Sequence, residues 1–267
     1  MPDQTQDSRE SSPSPQSPPA MLREIYEQPR ALRETIQRNV DGHEIFPAAF
    51  QPIRSALSRV TKIIIAASGS SRNAGLAGEI MMEDLAGVAV DVEYSSEYCL
   101  RSSHQDADSL VVLITQSGET ADTIAAQREA LNRRAKTVAI SNVPDSTIAR
   151  EASATLITYA APEFAVPATK SFTAQLAILY LFAVFLAHER GGISTEIGYS
   201  YLNRIAGLPG EIEKQLPSWD SQAATVARFV QDAKAFLYLG RGVHYAIARE
   251  GALKLKEVSY VQAEGMP

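Results

Sequence analysis

Two patterns of apolar residues alternate along the first two thirds of the chain. Lys62-Ile63-Ile64-Ile65-Ala66-Ala67 and Leu110-Val111-Val112-Leu113-Ile114 are apolar at almost every position. An apolar run without alternation predicts a strand buried on both faces, as in a parallel sheet. Shorter runs at 89–94, 137–140 and 155–159 predict three more strands. Residues 73–85 and 122–133 carry helical spacing between them. Upstream, Leu22, Ile25, Leu32 and Ile36 recur at helical spacing over 21–39, with Pro29 expected to break or bend that helix. A second helix is predicted over 47–58, and Asn142-Val143-Pro144-Asp145-Ser146 reads as a turn and cap. Five strands separated by helices predict an α/β fold, a three-layer αβα unit around a five-stranded parallel sheet.

Helices are then predicted over 169–190, 195–215 and 220–233. After them Ala235-Phe236-Leu237-Tyr238-Leu239, the turn Gly240-Arg241-Gly242 and a helix over 245–258 repeat the order of the first unit. This is the expected start of a second αβα unit. With one strand of its sheet read before Pro267, the unit has unprotected edges, and the chain is expected to be a fragment of a longer protein. The expected division is a disordered Ser/Pro-rich tail over 1–20, a first unit with its N-terminal helices over 21–193, and a truncated second unit over 194–267.

Composition narrows the class. At 45% hydrophobic and 21% charged, the 267 residues are those of a soluble globular protein. The net charge of −6 argues against a nucleic-acid surface. The single cysteine, Cys99, excludes an internal disulfide framework, fits a cytoplasmic setting and reads as a packing thiol. No signal-peptide pattern is visible at the N-terminus. The apolar stretch 176–187 is shorter than the ~20 residues a membrane span requires and predicts a helix buried on all sides. The His, Asp and Glu residues show no metal-ligand spacing, so neither a metal nor a cofactor is expected.

Chemistry concentrates in three places. Ser68-Gly69-Ser70-Ser71 and Gln116-Ser117-Gly118-Glu119-Thr120 each follow a predicted strand and lead into a helix. Ligands bind at the carboxyl ends of parallel strands, and such loops present free N–H groups to an anion. Neither loop holds Lys or Arg, which suits one phosphate monoester better than a triphosphate. The dinucleotide and P-loop glycine patterns are absent. Each loop also reads as a simple hydroxyl cap. On the helix over 245–258, Glu250, Lys254 and Glu257 fall on one face at i, i+4 and i+7. That row fits an exposed face held by ion pairs. It equally fits a carboxylate base beside a cation.

These segments, with Thr169-Lys170-Ser171-Phe172-Thr173 between them, occur in an order that closely resembles the sugar isomerase (SIS) domain family. The similarity is to the isomerase half of glutamine–fructose-6-phosphate aminotransferase and its glutaminase-lacking deaminase relatives. Met21-Leu22-Arg23-Glu24-Ile25-Tyr26-Glu27-Gln28-Pro29 also resembles the start of that half. The resemblance implies tandem αβα units with a six-carbon sugar phosphate between them. It implies a phosphate held at Ser71, Ser117, Gln116 and Thr120, with the backbone of Gly69, Ser70 and Val166 along the sugar. Glu257 would be the proton-shuttling base and Lys254 its assistant.

Three departures accompany it. The chain begins with Met1-Pro2 rather than a glutaminase cysteine, Ala168 stands where the family has a sugar-contacting serine, and His43, His104, His188 and His244 match no ring-opening histidine. The family's ring-opening histidine and imine-forming lysine belong to a segment beyond the position of Pro267, so catalysis by these 267 residues alone is not expected. The expected function is interconversion of glucosamine 6-phosphate and fructose 6-phosphate with free ammonia, by a cytoplasmic homodimer without nucleic-acid or membrane partners. The alternatives are a non-catalytic sugar-phosphate-binding regulator, or a deglycase or isomerase of another amino-sugar phosphate.

Overall fold

The structure is a computed structural model that describes residues 18–40, 45, 48–101 and 108–267. Most of the expected N-terminal tail lies outside those residues. In chain order, α1 (Ala20–Asn39), a 3₁₀ turn (Ala48–Ile53) and α2 (Arg54–Leu57) lead into β1 (Lys62–Ala67). Then follow α3 (Gly69–Ala86), β2 (Ala89–Tyr94), α4 (Ser95–Leu100), β3 (Ser109–Ile114) and α5 (Ala121–Asn132). The first unit closes with β4 (Lys136–Ser141), α6 (Thr147–Glu151), β5 (Ala154–Ile157) and α7 (Lys170–Glu189). The remainder is α8 (Thr195–Val230), β6 (Ala235–Leu239), α9 (Val243–Ser259) and β7 (Gln262–Met266).

The five predicted strands form one parallel sheet in the order β2-β1-β3-β4-β5. Every residue of β3 is buried, which is why that strand carries no polar alternation. Successive side chains feed two cores. Ile63, Ile65, Leu110 and Val112 pack under α1, α3 and α7, whereas Ile64, Val111 and Leu113 pack under α4, α5 and α6. α7 is long and apolar enough to cross a membrane, yet 78% of that apolar stretch is buried in the protein. From β1 the chain moves outward to β2 and then returns to the other side of β1. The direction of winding therefore reverses between β1 and β3, and such a reversal opens a crevice at the strand C-termini. Ala67 and Ile114 end these strands in register, so the loops after them lie side by side.

Three sequence expectations need correction. Pro29 neither breaks nor ends α1, because the Ile25 carbonyl that its missing N–H leaves free accepts Gln28 Nε2 at 3.0 Å. The helices expected at 195–215 and 220–233 are one helix, α8, running through Pro209 and Pro217. Its second half is tied to α1 by an Arg33–Glu213 ion pair at 3.0 Å and a Tyr26–Asp220 hydrogen bond at 3.0 Å, which straddle Pro217. The second sheet has two strands rather than one, because β7 pairs in parallel with β6.

Candidate active site

The first hydroxyl loop enters α3 at Ser68, the second enters α5 at Thr120. Neither residue's side chain caps its helix. The plain capping reading therefore fails, and the first-turn N–H groups of both helices keep no side-chain oxygen from their N-cap residues. Ser71, Gln116, Ser117 and Thr120 line one cavity of about 190 Å³ between the two loops, together with Ser68, Thr115 and Thr123. Among the described residues, no Lys or Arg lines it. Two helix N-termini and a set of hydroxyls are the groups left to meet an anion.

Neighbouring side chains hold the cavity's hydroxyls in place. Gln175, buried on α7, reaches Ser71 Oγ with its Nε2 at 3.1 Å and holds that hydroxyl at the cavity wall. Thr115 and Thr120 share a hydrogen bond of 2.7 Å, and the Glu119 N–H donates to Ser117 Oγ at 3.1 Å. The second loop turns at Gly118, whose φ is +70°. Glu119 accepts from Thr147 N–H at 2.7 Å and Thr147 Oγ1 at 2.8 Å, anchoring the loop to α6. Those two bonds hold its carboxyl below the ordinary value of 4.5. A depressed folded value means the tether is complete above the ordinary value and is lost as pH falls through the folded one. An NMR titration should place the Glu119 midpoint below 4.5, and a midpoint at or above it would contradict the tether.

α9 brings the third element to the first turn of α3. Glu250, Lys254 and Glu257 do share a face, but it is not a solvated one, because Glu250 is only 5% exposed. The Lys254 ammonium pairs with Glu250 at 3.0 Å and Glu257 at 2.9 Å, and donates to Ser70 Oγ at 2.9 Å. Glu250 also accepts Asn73 Nδ2 at 2.9 Å. A cation between two carboxylates fixes both, and Glu257 is the more open of the two, with 28% of its side chain exposed. Ser70 joins this cluster to the hydroxyl cavity through its neighbour Ser71.

The loop from β5 to α7 carries Val166 and Ala168. Val166 is 86% exposed and does not line the hydroxyl cavity, while Ala168 packs against the larger core. Gly69 faces a neighbouring cavity instead. The loop is pinned from α1: buried Glu24 accepts the Phe164 N–H at 2.6 Å and the Ala165 N–H at 3.2 Å. Lys170, 2% exposed, donates to Glu27 and the Pro162 carbonyl, each at 2.6 Å. A hydrogen bond contributes about 0.5–1.5 kcal/mol net, so Glu24→Ala should lower stability by about that amount in a urea melt. An unchanged midpoint would contradict the pinning. Asn73, Gln175, Glu24, Thr115 and Thr123 escaped sequence reasoning, since a polar residue on a helix or at a strand end reads as surface.

The SIS domain family model matches residues 56–185. The C-terminal domain of glucosamine-fructose-6-phosphate aminotransferase from Francisella tularensis superposes with a TM-score of 0.90 at 33% identity, covering 96% of this chain and 72% of that one. The chain belongs to the SIS domain family. Curated relatives include the glutamine–fructose-6-phosphate aminotransferase of Methanosarcina acetivorans, 41% identical over 247 residues, or 92% of this chain and 40% of the relative. The enzyme of that name from Neisseria meningitidis serogroup B is 41% identical over 249 residues, with coverage of 92% and 40%. This SIS chain thus spans about 40% of the length of the curated relatives it matches. Glucosamine-6-phosphate deaminase from Thermotoga maritima shares the fold, with a TM-score of 0.69 at 22% identity, covering 92% of this chain and 69% of that one.

Proposed function

We propose that this chain carries the sugar-phosphate isomerase chemistry of an amino-sugar enzyme, interconverting glucosamine 6-phosphate and fructose 6-phosphate with free ammonia. One observation carries the reading: a Glu–Lys–Glu row is packed onto the first turn of a helix whose N-terminus opens into a hydroxyl cavity that no described Lys or Arg lines. In this reading Ser71, Gln116, Ser117, Thr120 and the N–H groups of α3 and α5 hold the phosphate. The backbone of Gly69, Ser70 and Val166 follows the sugar. Glu257 takes the proton from one of the two carbons C1 and C2 and returns it to the other. Lys254 steadies the negative charge that develops on the sugar oxygen. Alanine at 168 removes a hydroxyl from the sugar side and relaxes discrimination there.

The same proposal divides the chain into a first SIS unit over 21–193 and the beginning of a second over 194–267, supported by two separate sheets. It takes the protein as a cytoplasmic homodimer. Leu237 and Leu239 on β6 and Phe229 on α8 are exposed apolar positions that a partner subunit would cover.

The test is to incubate the full-length protein with glucosamine 6-phosphate, and separately with fructose 6-phosphate plus ammonium. Interconversion in either direction is expected. Tight sugar-phosphate binding with no turnover in both directions would overturn the enzyme reading and leave a binding regulator.

A further inference from the structure

A second cavity of about 290 Å³ opens on the other side of the first turn of α3, between that turn, β2 and α9. Gly69 lines it, while Ser68 and Ser71 face the hydroxyl cavity, so one helical turn separates the two. Their chemistry differs. Arg72, Arg249 and Lys256 line this second cavity, against the single carboxylate of Glu264. On α9, Arg249 and Lys256 stand seven residues apart, in a row beside Glu250 and Glu257.

The two guanidinium groups are positioned but under-used. Arg72 stacks over the Tyr94 ring, 4.1 Å from its centroid, and its Nη2 reaches the Val92 carbonyl at 3.5 Å. Arg249 donates from Nη1 to the Tyr245 hydroxyl at 3.1 Å. The Nε–H groups of both are buried and find no acceptor among the described residues. Guanidinium groups recognise carboxylate and phosphate through such donors. Asn73 also lines the cavity and bonds Glu250, which links the cavity to the Glu–Lys–Glu row.

The geometry points to a second anion-binding site in this cavity, for a carboxylate or phosphate group held by Arg72, Arg249 and Lys256. The anion has two possible sources, a second charged substituent on the bound sugar phosphate or a separate small anion. The first source rests on the sugar-phosphate reading above, and the site itself does not.

The test uses the full-length protein and three probes. Inorganic phosphate should shift the Arg72 and Arg249 Nε–H resonances saturably. Lys256→Ala, at an exposed position that leaves the fold intact, and Arg249→Gln should each weaken that response by about tenfold. No saturable shift in the unsubstituted protein would overturn the site. Calorimetry then compares fructose 1,6-bisphosphate with fructose 6-phosphate. A bisphosphate bound about tenfold more tightly, with the excess lost in Arg249→Gln and fructose 6-phosphate affinity unchanged, assigns the anion to the substrate. Equal affinities with the resonances still responding assign a separate anion. Absence of fructose 6-phosphate binding while phosphate still shifts both arginines would sink the sugar-phosphate reading and leave this site standing.

Discussion

Glu257→Gln is expected to lower turnover of glucosamine 6-phosphate by about 10²- to 10⁴-fold, the usual contribution of a positioned general base. Fructose 6-phosphate affinity should stay within about threefold, because the substitution keeps the shape of the side chain and lies away from the hydroxyl cavity. Loss confined to the rate is the signature of an interaction made in the transition state. The ion pair adds a structural reason to choose glutamine over alanine. Lys254 is 15% exposed on its side chain and remains paired with Glu250 when the Glu257 charge is gone. Turnover and affinity measured side by side in the full-length protein decide the matter. A variant that turns over normally would remove Glu257 from the chemistry.

Gly118→Ala should be the most damaging single change in the second hydroxyl loop. A Cβ at this position would stand 2.0 Å from Ser146 Oγ and 2.2 Å from Ser146 Cβ. No rotamer of Ser146 moves its Cβ, so the backbone of the loop or of the Ser146 turn must shift. The φ of +70° adds a left-handed penalty of about 1 kcal/mol or more, and overpacking a filled site costs about 1–3 kcal/mol. A total of about 2–4 kcal/mol is a large share of a domain's stability, roughly 5–15 kcal/mol. The shift also moves Ser117 and Thr120, so sugar-phosphate affinity should fall with stability. A urea midpoint and a fructose 6-phosphate titration both unchanged in Gly118→Ala would show that the loop has slack the structure does not suggest.

The parts of the fold that were legible in the sequence are those where local pattern and burial coincide. β1 and β3 are apolar at every position after their first, because helices cover both sheet faces. β7 went unread because Gln262-Ala263-Glu264-Gly265-Met266 has one buried apolar side chain and owes its strand geometry to pairing with β6. Pro29 and the expected break between 215 and 220 misled for a related reason. The contacts that keep α1 and α8 continuous come from Gln28 and from a neighbouring helix, and a local rule for proline does not contain them.

The candidate site divides in the same way. Composition marks the hydroxyl loops, but whether a serine caps its helix or faces a cavity depends on its partners in space. Spacing puts Glu250, Lys254 and Glu257 on one face, and only the packing of α9 on α3 makes that face buried. The supports in Gln175 and Asn73 are separated from the loops they serve by fold rather than by sequence.

The phosphate of the sugar is expected in the hydroxyl cavity, which no Lys or Arg among the described residues lines, and not in the arginine-lined cavity one helical turn away. A crystal structure of the full-length protein with fructose 6-phosphate tests it most directly. The 6-phosphate is expected within hydrogen-bonding distance of Ser71, Ser117 and Thr120, with the C1–C2 end of the sugar toward Glu257. A 6-phosphate seated instead on Arg72 and Arg249, with the hydroxyl loops untouched, would contradict it.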